Sequence, residues 1–439
     1  MPGEIRESDN EIRASDNAQD VPKVVVTGLG ATTALGGDVP STWEALLRGE
    51  NGIQLLDGEA WCGDLPPQIG GRIRVEPAPG LQPLQRVRLS RTAQFAVTAA
   101  GQAWQDAELD TAALAPTRVA VAVSAAAADM TALIDGWERF KERGWNRVSP
   151  LTAPLSMGNA SAAAVSVLVN ARAGAYATVN ACSSGTQALA TAVDLIRKGD
   201  ADVVLAGGAE APLHPMVLGA FASMRTLSQR ADDPAGACRP FDKDRDGMVF
   251  AEGAGILVLE SERHALARGA RVYAELAGVG IASDAHHLVQ PEPEGAGTAR
   301  AIRASLADAG VSPADVAHLN ANGVATTVGD AGEARGIREV FGDAGEGPAV
   351  SANKSMTGHA LGAAGAIESI ATVLSLHQGV VPPTRNFVSL DEDLRVDIVH
   401  GAPRKLADDQ VIAVKNSSGF GGHNVTLTFR TVERVAAAG

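Results

Sequence analysis

Cys182 stands in the run Ala181-Cys182-Ser183-Ser184-Gly185, between an apolar stretch and a helical run from Thr186 to Arg197. At a helix start, unpaired backbone N–H groups and the positive end of the helix dipole favour thiolate, and free N–H groups can hold a developing oxyanion. That is the chemistry of a covalent nucleophile, provided partners exist. Lys354-Ser355-Met356-Thr357-Gly358-His359 places a lysine and a histidine in a polar loop just before a Gly/Ala-rich helix, where both side chains can face a cavity. Gly419-Phe420-Gly421-Gly422-His423-Asn424 adds a turn whose backbone N–H groups can approach a ligand closely.

Other segments imitate known sites without completing them. Gly28-Leu29-Gly30 follows a strand-like run, but the third glycine of a dinucleotide fingerprint falls on Thr33 and no acidic residue suits the ribose position. Asp242, Asp244, Asp246 and Gly247 open like a calcium loop, yet the bidentate glutamate would have to be Gly253, with Glu252 one place early. A solvated or salt-bridged turn is the better reading. His286 and His287 beside Asp284 lack a spacing that sets both rings on one face, so loop hydrogen bonding is expected there. The sequence therefore assigns no metal and no cofactor.

The elements that must position these groups alternate between strand and helix. Val24 to Thr27 reads as a strand ended by Gly28 and Gly30, Ser41 to Leu47 as a helix, Val87 to Ala107 as a longer helix, and Val119 to Val123 as a buried strand. Ala132 to Arg143 is amphipathic, Ser156 to Ala171 and Thr186 to Arg197 are Ala-rich helices, and Val203 to Ala206 and Gly255 to Glu260 are strands. A second series follows: strand Val272 to Val279, helix Gly297 to Ala309, strand Val316 to Asn320, helix Ala331 to Phe341. Placing Gly199 over Gly379 sets Gly185 over Gly365 and superposes the helix after Cys182 on the helix from Gly362 to Leu376. The alternation gives an α/β class, and the repeat gives two related halves that share one site at their junction.

With 439 residues the chain can build a large apolar core of two or three domains by length. A formal charge of -14 and a pI near 5.1 argue against unaided binding to nucleic acid or anionic membranes. Cys62, Cys182 and Cys238 form neither an even disulfide framework nor a zinc spacing, which points to a reducing, cytoplasmic setting. No apolar stretch approaches a transmembrane span. Residues 1–22 read as a flexible leader, residues 23–265 as the half with the nucleophilic cysteine, and residues 266–439 as the half with Asn322, Lys354 and His359.

From about Lys23 to Phe429 the chain resembles the β-ketoacyl-acyl carrier protein synthases, the elongating ketosynthases. The motifs that carry the likeness are Val24-Val25-Val26-Thr27-Gly28, the run around Cys182, Arg239-Pro240-Phe241-Asp242 through Gly253, Lys354 to His359 with Glu368, and Asn416 to Asn424. The resemblance implies the thiolase fold, a layered αβαβα arrangement of two similar halves, as a homodimer served by acyl carrier protein. It implies that Cys182 takes the acyl chain, that its own N–H and that of Phe420 form the oxyanion hole, and that His359 donates to the enolate formed when malonyl carrier protein decarboxylates. Lys354 supports the site electrostatically, Glu368 helps order it, and Phe420 gates the acyl pocket.

Three positions depart from the family pattern. The first family histidine, in Asn-Ala-His-Gly-Thr, maps onto Asn322, within Asn320-Ala321-Asn322-Gly323. An amide donates a neutral hydrogen bond but does not take up and release protons near pH 7. If the role is proton transfer, the loss is about 10²–10⁴-fold; if it is donation, the loss is smaller. The family's initiating members use cysteine, histidine and asparagine with the last two in opposite places, so Asn322 and His359 are expected to form a working donor pair. The threonine that holds the pantetheine arm becomes Val324, a loss of about 0.5–1.5 kcal/mol, while Thr326 keeps the later hydroxyl. A family phenylalanine becomes Ser418.

The leading expectation is an elongating ketosynthase of fatty acid or polyketide type. The alternatives are a resistant copy spared by antibiotics that engage the paired histidines and malonyl pocket, a decarboxylation-impaired partner subunit, relaxed selection in a duplicated copy, and a His-to-Asn replacement made by design. A hydrolase or thiolase reading fares worse, since no Gly-x-Ser-x-Gly elbow and no second cysteine near the C-terminal turn are present.

Overall fold

The computed structural model describes residues 21–56, 68–78, 80–345 and 347–432. Cys62, and the expected leader apart from Val21 and Pro22, lie outside them. The first half runs β1 (Val24–Thr33), α1 (Arg91–Asp106), β2 (Val119–Ser124), α2 (Ala160–Val169), β3 (Gly174–Tyr176), α3 (Ser184–Arg197), β4 (Val203–Glu210) and β5 (Gly253–Ser261). The second runs β6 (Ala274–Ser283), α4 (Ala296–Ala309), β7 (Val316–Asn320), α5 (Thr327–Phe341), β8 (Ala349–Ser351), α6 (Ala364–Gln378), β9 (Ile412–Gly419) and β10 (His423–Arg430).

Hydrogen bonding orders these strands β3-β2-β4-β5-β1 in one half and β8-β7-β9-β10-β6 in the other. The two halves repeat one another strand for strand, including the choice of parallel and antiparallel neighbours. They meet where β1 pairs with β6, at Val25 with Glu275 and Val26 with Ala274. Helices α1 and α2 cover one outer face, α4 and α5 the other, and α3 and α6 lie between. The apolar residues divide in the same way. Leu189, Val193 and Ile196 of α3 join Ile370, Val373 and Leu376 of α6 in a central core with Leu257 and Leu427, while α1 with β2 and α4 with β7 fill separate outer cores. This is the layered α/β arrangement that the resemblance implies.

The repeat drawn through Gly185 and Gly365 has a steric basis. A Cβ at Gly185 would lie 2.5 Å from the Gly362 oxygen, and one at Gly365 would lie 1.9 Å from Thr186 Oγ1. Each glycine lets α3 and α6 cross closely, and each helix is followed by a left-handed glycine, Gly199 or Gly379. Gly28 and Gly30 also serve packing rather than a turn. The first strand does not end there but runs on to Thr33, because the glycines lie against α1, where a Cβ would come within 2.3 Å of the Ala103 oxygen or 1.9 Å of that of Ala99.

Caps move several helix boundaries away from those expected. The run from Val87 becomes helical only at Arg91, since the Ser90 hydroxyl accepts the Ala93 N–H at 3.2 Å. The run from Ser156 splits into a turn over Thr152–Ser156 and α2, which ends at left-handed Asn170. Helix α5 begins four residues before Ala331 because Thr326 Oγ1 accepts the Gly329 N–H at 3.2 Å. Asp242 accepts from Val388, Ser389 and Asp244 and pairs with Arg239, which makes its segment the salt-bridged turn expected. His287 Nδ1 likewise accepts from the backbone of Val289 and Gln290, both at 3.1 Å. Among the described residues no helix is long and apolar enough to cross a membrane.

Candidate active site

The loop between β3 and α3 exposes Cys182 through a strained turn. Ala181 has φ 47°, a conformation that a non-glycine residue keeps only when its surroundings hold it. Here Ser184 Oγ donates to the Ala181 oxygen at 2.6 Å and accepts from the Asn180 N–H at 2.9 Å, while Ser183 Oγ donates to the Asn180 oxygen at 2.8 Å. The Asn180 amide is tied to Gln187 Oε1 at 2.9 Å. Gly419, at the end of β9, packs onto this turn, since a Cβ there would lie 2.7 Å from the Asn180 oxygen. That approach brings the Phe420 N–H to the thiol, which also receives the N–H of Cys182 itself. The two donors implied for the oxyanion hole therefore converge on Cys182 Sγ.

The resting state of the thiol differs from the sequence expectation. Cys182 is half-buried by exposed area, yet its Sγ is enclosed by protein, and burial pushes the thiol up to about 11. Lys354 and the two N–H groups pull down and Glu210 pushes further up, but desolvation outweighs the helix start. Cys182 thus rests as a thiol, and a helix N-terminus does not by itself make it a thiolate. Cys238 is fully buried, and burial likewise raises its thiol far above the usual range.

Across the junction the second half supplies a buried charge cluster. Lys354 Nζ lies 2.7 Å from Glu368 Oε1 and donates to the Asn322 backbone oxygen at 2.5 Å and to Asn322 Oδ1 at 3.4 Å. An ammonium only donates, so this contact turns the amide oxygen of Asn322 inward and its NH₂ the other way. Glu368 Oε2 lies 2.9 Å from a second lysine, Lys415. The Asn322 and Gly323 N–H groups donate to Glu333 at 2.7 Å and 2.8 Å, and Asn416 Nδ2 donates to the same carboxylate at 2.6 Å. Asp330 accepts from Phe241, Val324 and Ala325, and its burial lifts the carboxyl to about 7.

His359 is 1% exposed, and neither ring nitrogen has a hydrogen-bond partner among the described residues. Its backbone is fixed by bonds to Val249 and Ala251. Burial, then Lys354 and Lys415, hold the imidazole well below its usual range, so it is neutral and offers one N–H. Cys182, Asn322, Val324, Thr326, His359, Ser418 and Phe420 all line one cavity of about 340 Å³. Lys354 and Glu368 do not line it but stand behind Asn322. Thr326 reaches the cavity while its hydroxyl also caps α5, and Ser418 Oγ donates to Asn424 Oδ1 at 2.8 Å. Phe420 stacks on Phe221 with ring centres 5.8 Å apart.

Three residues of the site are absent from the sequence expectations: Lys415, Glu333 and Glu210. Lys415 had a readable signal, a lone charge directly after the apolar run Ile412 to Val414 of a central strand. Glu333 and Glu210 gave none, because a carboxylate on a helix or at a strand end usually faces solvent.

The chain is similar to known proteins over nearly its whole length. Residues 22–265 match the Beta-ketoacyl synthase, N-terminal domain, and residues 273–388 match the Beta-ketoacyl synthase, C-terminal domain. The chain is 41% identical over 415 residues to 3-oxoacyl-[acyl-carrier-protein] synthase 2 of Mycobacterium bovis, covering 93% of this chain and 97% of that protein. It is 40% identical over 414 residues to the Staphylococcus aureus protein of the same name, covering 94% and 99%. A solved structure of a type II polyketide acyl-carrier protein in complex with its ketosynthase superposes with a TM-score of 0.86 at 33% identity, covering 94% of this chain and all of that one. The matched family domains and the identity to curated relatives over nearly the whole chain show that it belongs to the β-ketoacyl synthase family.

Proposed function

We propose that this β-ketoacyl synthase joins a Cys182-bound acyl chain to a malonyl unit carried by acyl carrier protein, with Asn322 and His359 as a pair of neutral donors. Cys182 Sγ attacks the acyl thioester, and the tetrahedral oxyanion is held by the N–H groups of Cys182 and Phe420 while the carrier thiol departs with the proton. Malonyl thioester then loses CO₂, leaving its enolate. The enolate oxygen accepts from the His359 N–H and Asn322 Nδ2, and the enolate carbon attacks the Cys182 thioester carbonyl. The new carbon–carbon bond forms as the acyl C–S bond breaks, Cys182 leaves as thiolate and regains a proton from water, and the β-ketoacyl product departs on its carrier protein. The observation that carries this reading is the cavity itself, which is lined by the thiol, a neutral imidazole with no hydrogen-bond partner among the described residues, and an amide whose oxygen is already engaged.

The deciding experiment measures acylation of Cys182 by acyl carrier protein thioester and decarboxylation of malonyl carrier protein, in the natural protein and in Asn322→His. If the position only donates a hydrogen bond, the variant gains about 5-fold in decarboxylation with acylation within about 2-fold. A gain of about 10²-fold or more assigns proton transfer to the position. An unchanged rate overturns the role given to Asn322.

A second reading draws on one observation: Asn322, Val324 and Ser418, the three departures from the family pattern, line the same cavity. That clustering suits a ketosynthase with an altered malonyl side, including one insensitive to inhibitors that occupy it. The same proposal includes a homodimer in a reducing cytoplasm. Exposed Val167, Leu168, Tyr176 and Val179 near the unpaired outer edge of β3 support the first, and free Cys182 and Cys238 support the second.

A further inference from the structure

Lys415 has no exposed surface and sits within β9, where its neighbours Ile412, Ala413 and Val414 are apolar. Its Nζ lies 2.9 Å from one oxygen of Glu368, and Lys354 Nζ lies 2.7 Å from the other, so a single carboxylate stands between two ammonium groups. Lys415 also donates to the backbone oxygen of Asn416 and, at 3.3 Å and 3.5 Å, faces those of Ala321 and Asn320, the residues just before Asn322. Burying an ammonium is costly unless it is paired and hydrogen-bonded, and an apolar side chain would fill a central strand at less cost.

We infer that Lys415 is a positioning residue for the malonyl half-reaction, fixing the Asn320–Asn322 backbone and neutralising the outer oxygen of Glu368 so that Lys354 keeps its contact with Asn322 Oδ1. This rests on the reading of Asn322 as a donor. Without Lys415, Glu368 would present an unpaired oxygen and draw Lys354 toward a two-oxygen bridge. The longest of the Lys354 contacts, 3.4 Å to Asn322 Oδ1, is the first to break. The amide would then be free to turn, and its NH₂ would no longer be held toward the cavity.

The titratable groups around Lys415 come from four elements: Glu368 on α6, Lys354 and the neutral His359 in the loop ahead of it, Glu333 on α5 and the neutral His318 on β7. Burial, offset by Glu368 and reinforced by Lys354, lowers the ammonium to about 8. Loss of its proton above that pH removes the same support that a substitution removes.

Full-length protein is compared with Lys415→Met and Lys415→Arg, each first checked for a cooperative melt. Three readouts follow: acylation of Cys182, malonyl carrier protein decarboxylation from pH 6.5 to 9.5, and the side-chain amide resonance of Asn322 in asparagine-labelled protein. The natural protein should lose decarboxylation above about pH 8 while acylation does not fall. Lys415→Met should lower decarboxylation about 10-fold at pH 7, abolish the alkaline limb and leave acylation within about 2-fold. Lys415→Arg should hold the pH 7 rate within about 3-fold and show no alkaline fall, because guanidinium stays charged. Equal loss of both half-reactions, or an alkaline limb that survives in Lys415→Met, overturns the inference. If Lys415→Met does not fold, the pH profile of Lys415→Arg decides. If the natural protein neither acylates nor decarboxylates, the proposed function fails, and Lys415 is judged on the amide resonance alone. A midpoint near pH 8 that disappears in Lys415→Met sustains its role, and a resonance indifferent to pH overturns it.

Discussion

Ala181 precedes α3 with φ 47° and Leu361 precedes α6 with φ 42°, two left-handed residues at matching places in the two halves. The residue that follows is Cys182 in one half and Gly362 in the other. The Gly362 N–H donates at 3.1 Å to Glu210, the last residue of β4, whose carboxylate also accepts from Ala126 and Ala127. The last residue of β9, the counterpart of β4, is Gly419, which carries no carboxylate, and there the N–H groups of Cys182 and Phe420 face the thiol. One half fills its cradle of backbone donors with its own carboxylate, and the other does not. On the proposed reading, the oxyanion hole is a structural anion site from which the protein's carboxylate has been withheld.

The largest test removes the side chain that makes the two turns different. Cys182→Ala should lower condensation by about 10⁴-fold or more, read by intact mass after mixing with acyl and malonyl carrier proteins, yet cost little stability. The matching change in the other half should behave in reverse. In Gly362→Ala the new Cβ would lie 2.4 Å from the Ala126 nitrogen and 2.8 Å from Glu210 Oε2, and loss of about 3 kcal/mol is expected in urea titration. Equal stability of the two variants breaks the comparison.

A smaller effect sharpens it. Burial lifts Glu210 to about 7, although its three backbone donors pull it down. A carboxyl raised on folding contributes stability below its unfolded value and loses it as pH rises through the folded one, so Glu210 makes the fold less stable between about pH 4.5 and 7. Glu210→Gln should flatten that slope. The variant also removes a charge that raises the Cys182 thiol, so iodoacetamide labelling of Cys182 at pH 8 should quicken by about 3-fold. Slower labelling would show that Glu210 orients the turn rather than acting through its charge.

What the sequence made legible were features written in residue identity. Cys182, Lys354 and His359 stand out by residue type and setting, Glu368 enters only through the family resemblance, and the glycines at 185 and 365 mark a close helix crossing at one spacing. The less legible features depend on what surrounds a residue. The thiol of Cys182 follows its enclosure rather than its helix, Gly28 and Gly30 reveal their role only against α1, and Thr326 divides its hydroxyl between cavity and cap. Lys415 shows the same limit from the other side. Its charge was visible in an apolar strand, but its two-lysine arrangement with Glu368 joins positions far apart in the chain.

Helix α6 is buried from Ala364 to His377, and Ser369, Thr372 and Ser375 return their hydroxyls to its own carbonyls. Nothing along its buried length can open to water without parting the packed layers around it, so its amides should be among the slowest in the molecule to exchange with deuterium. Glu368 rides on that helix and holds both lysines behind Asn322. On the proposed reading this ties catalytic order to global order: on heating, the donor side of the site should persist until the molecule melts, and activity should vanish at the melting temperature rather than ahead of it.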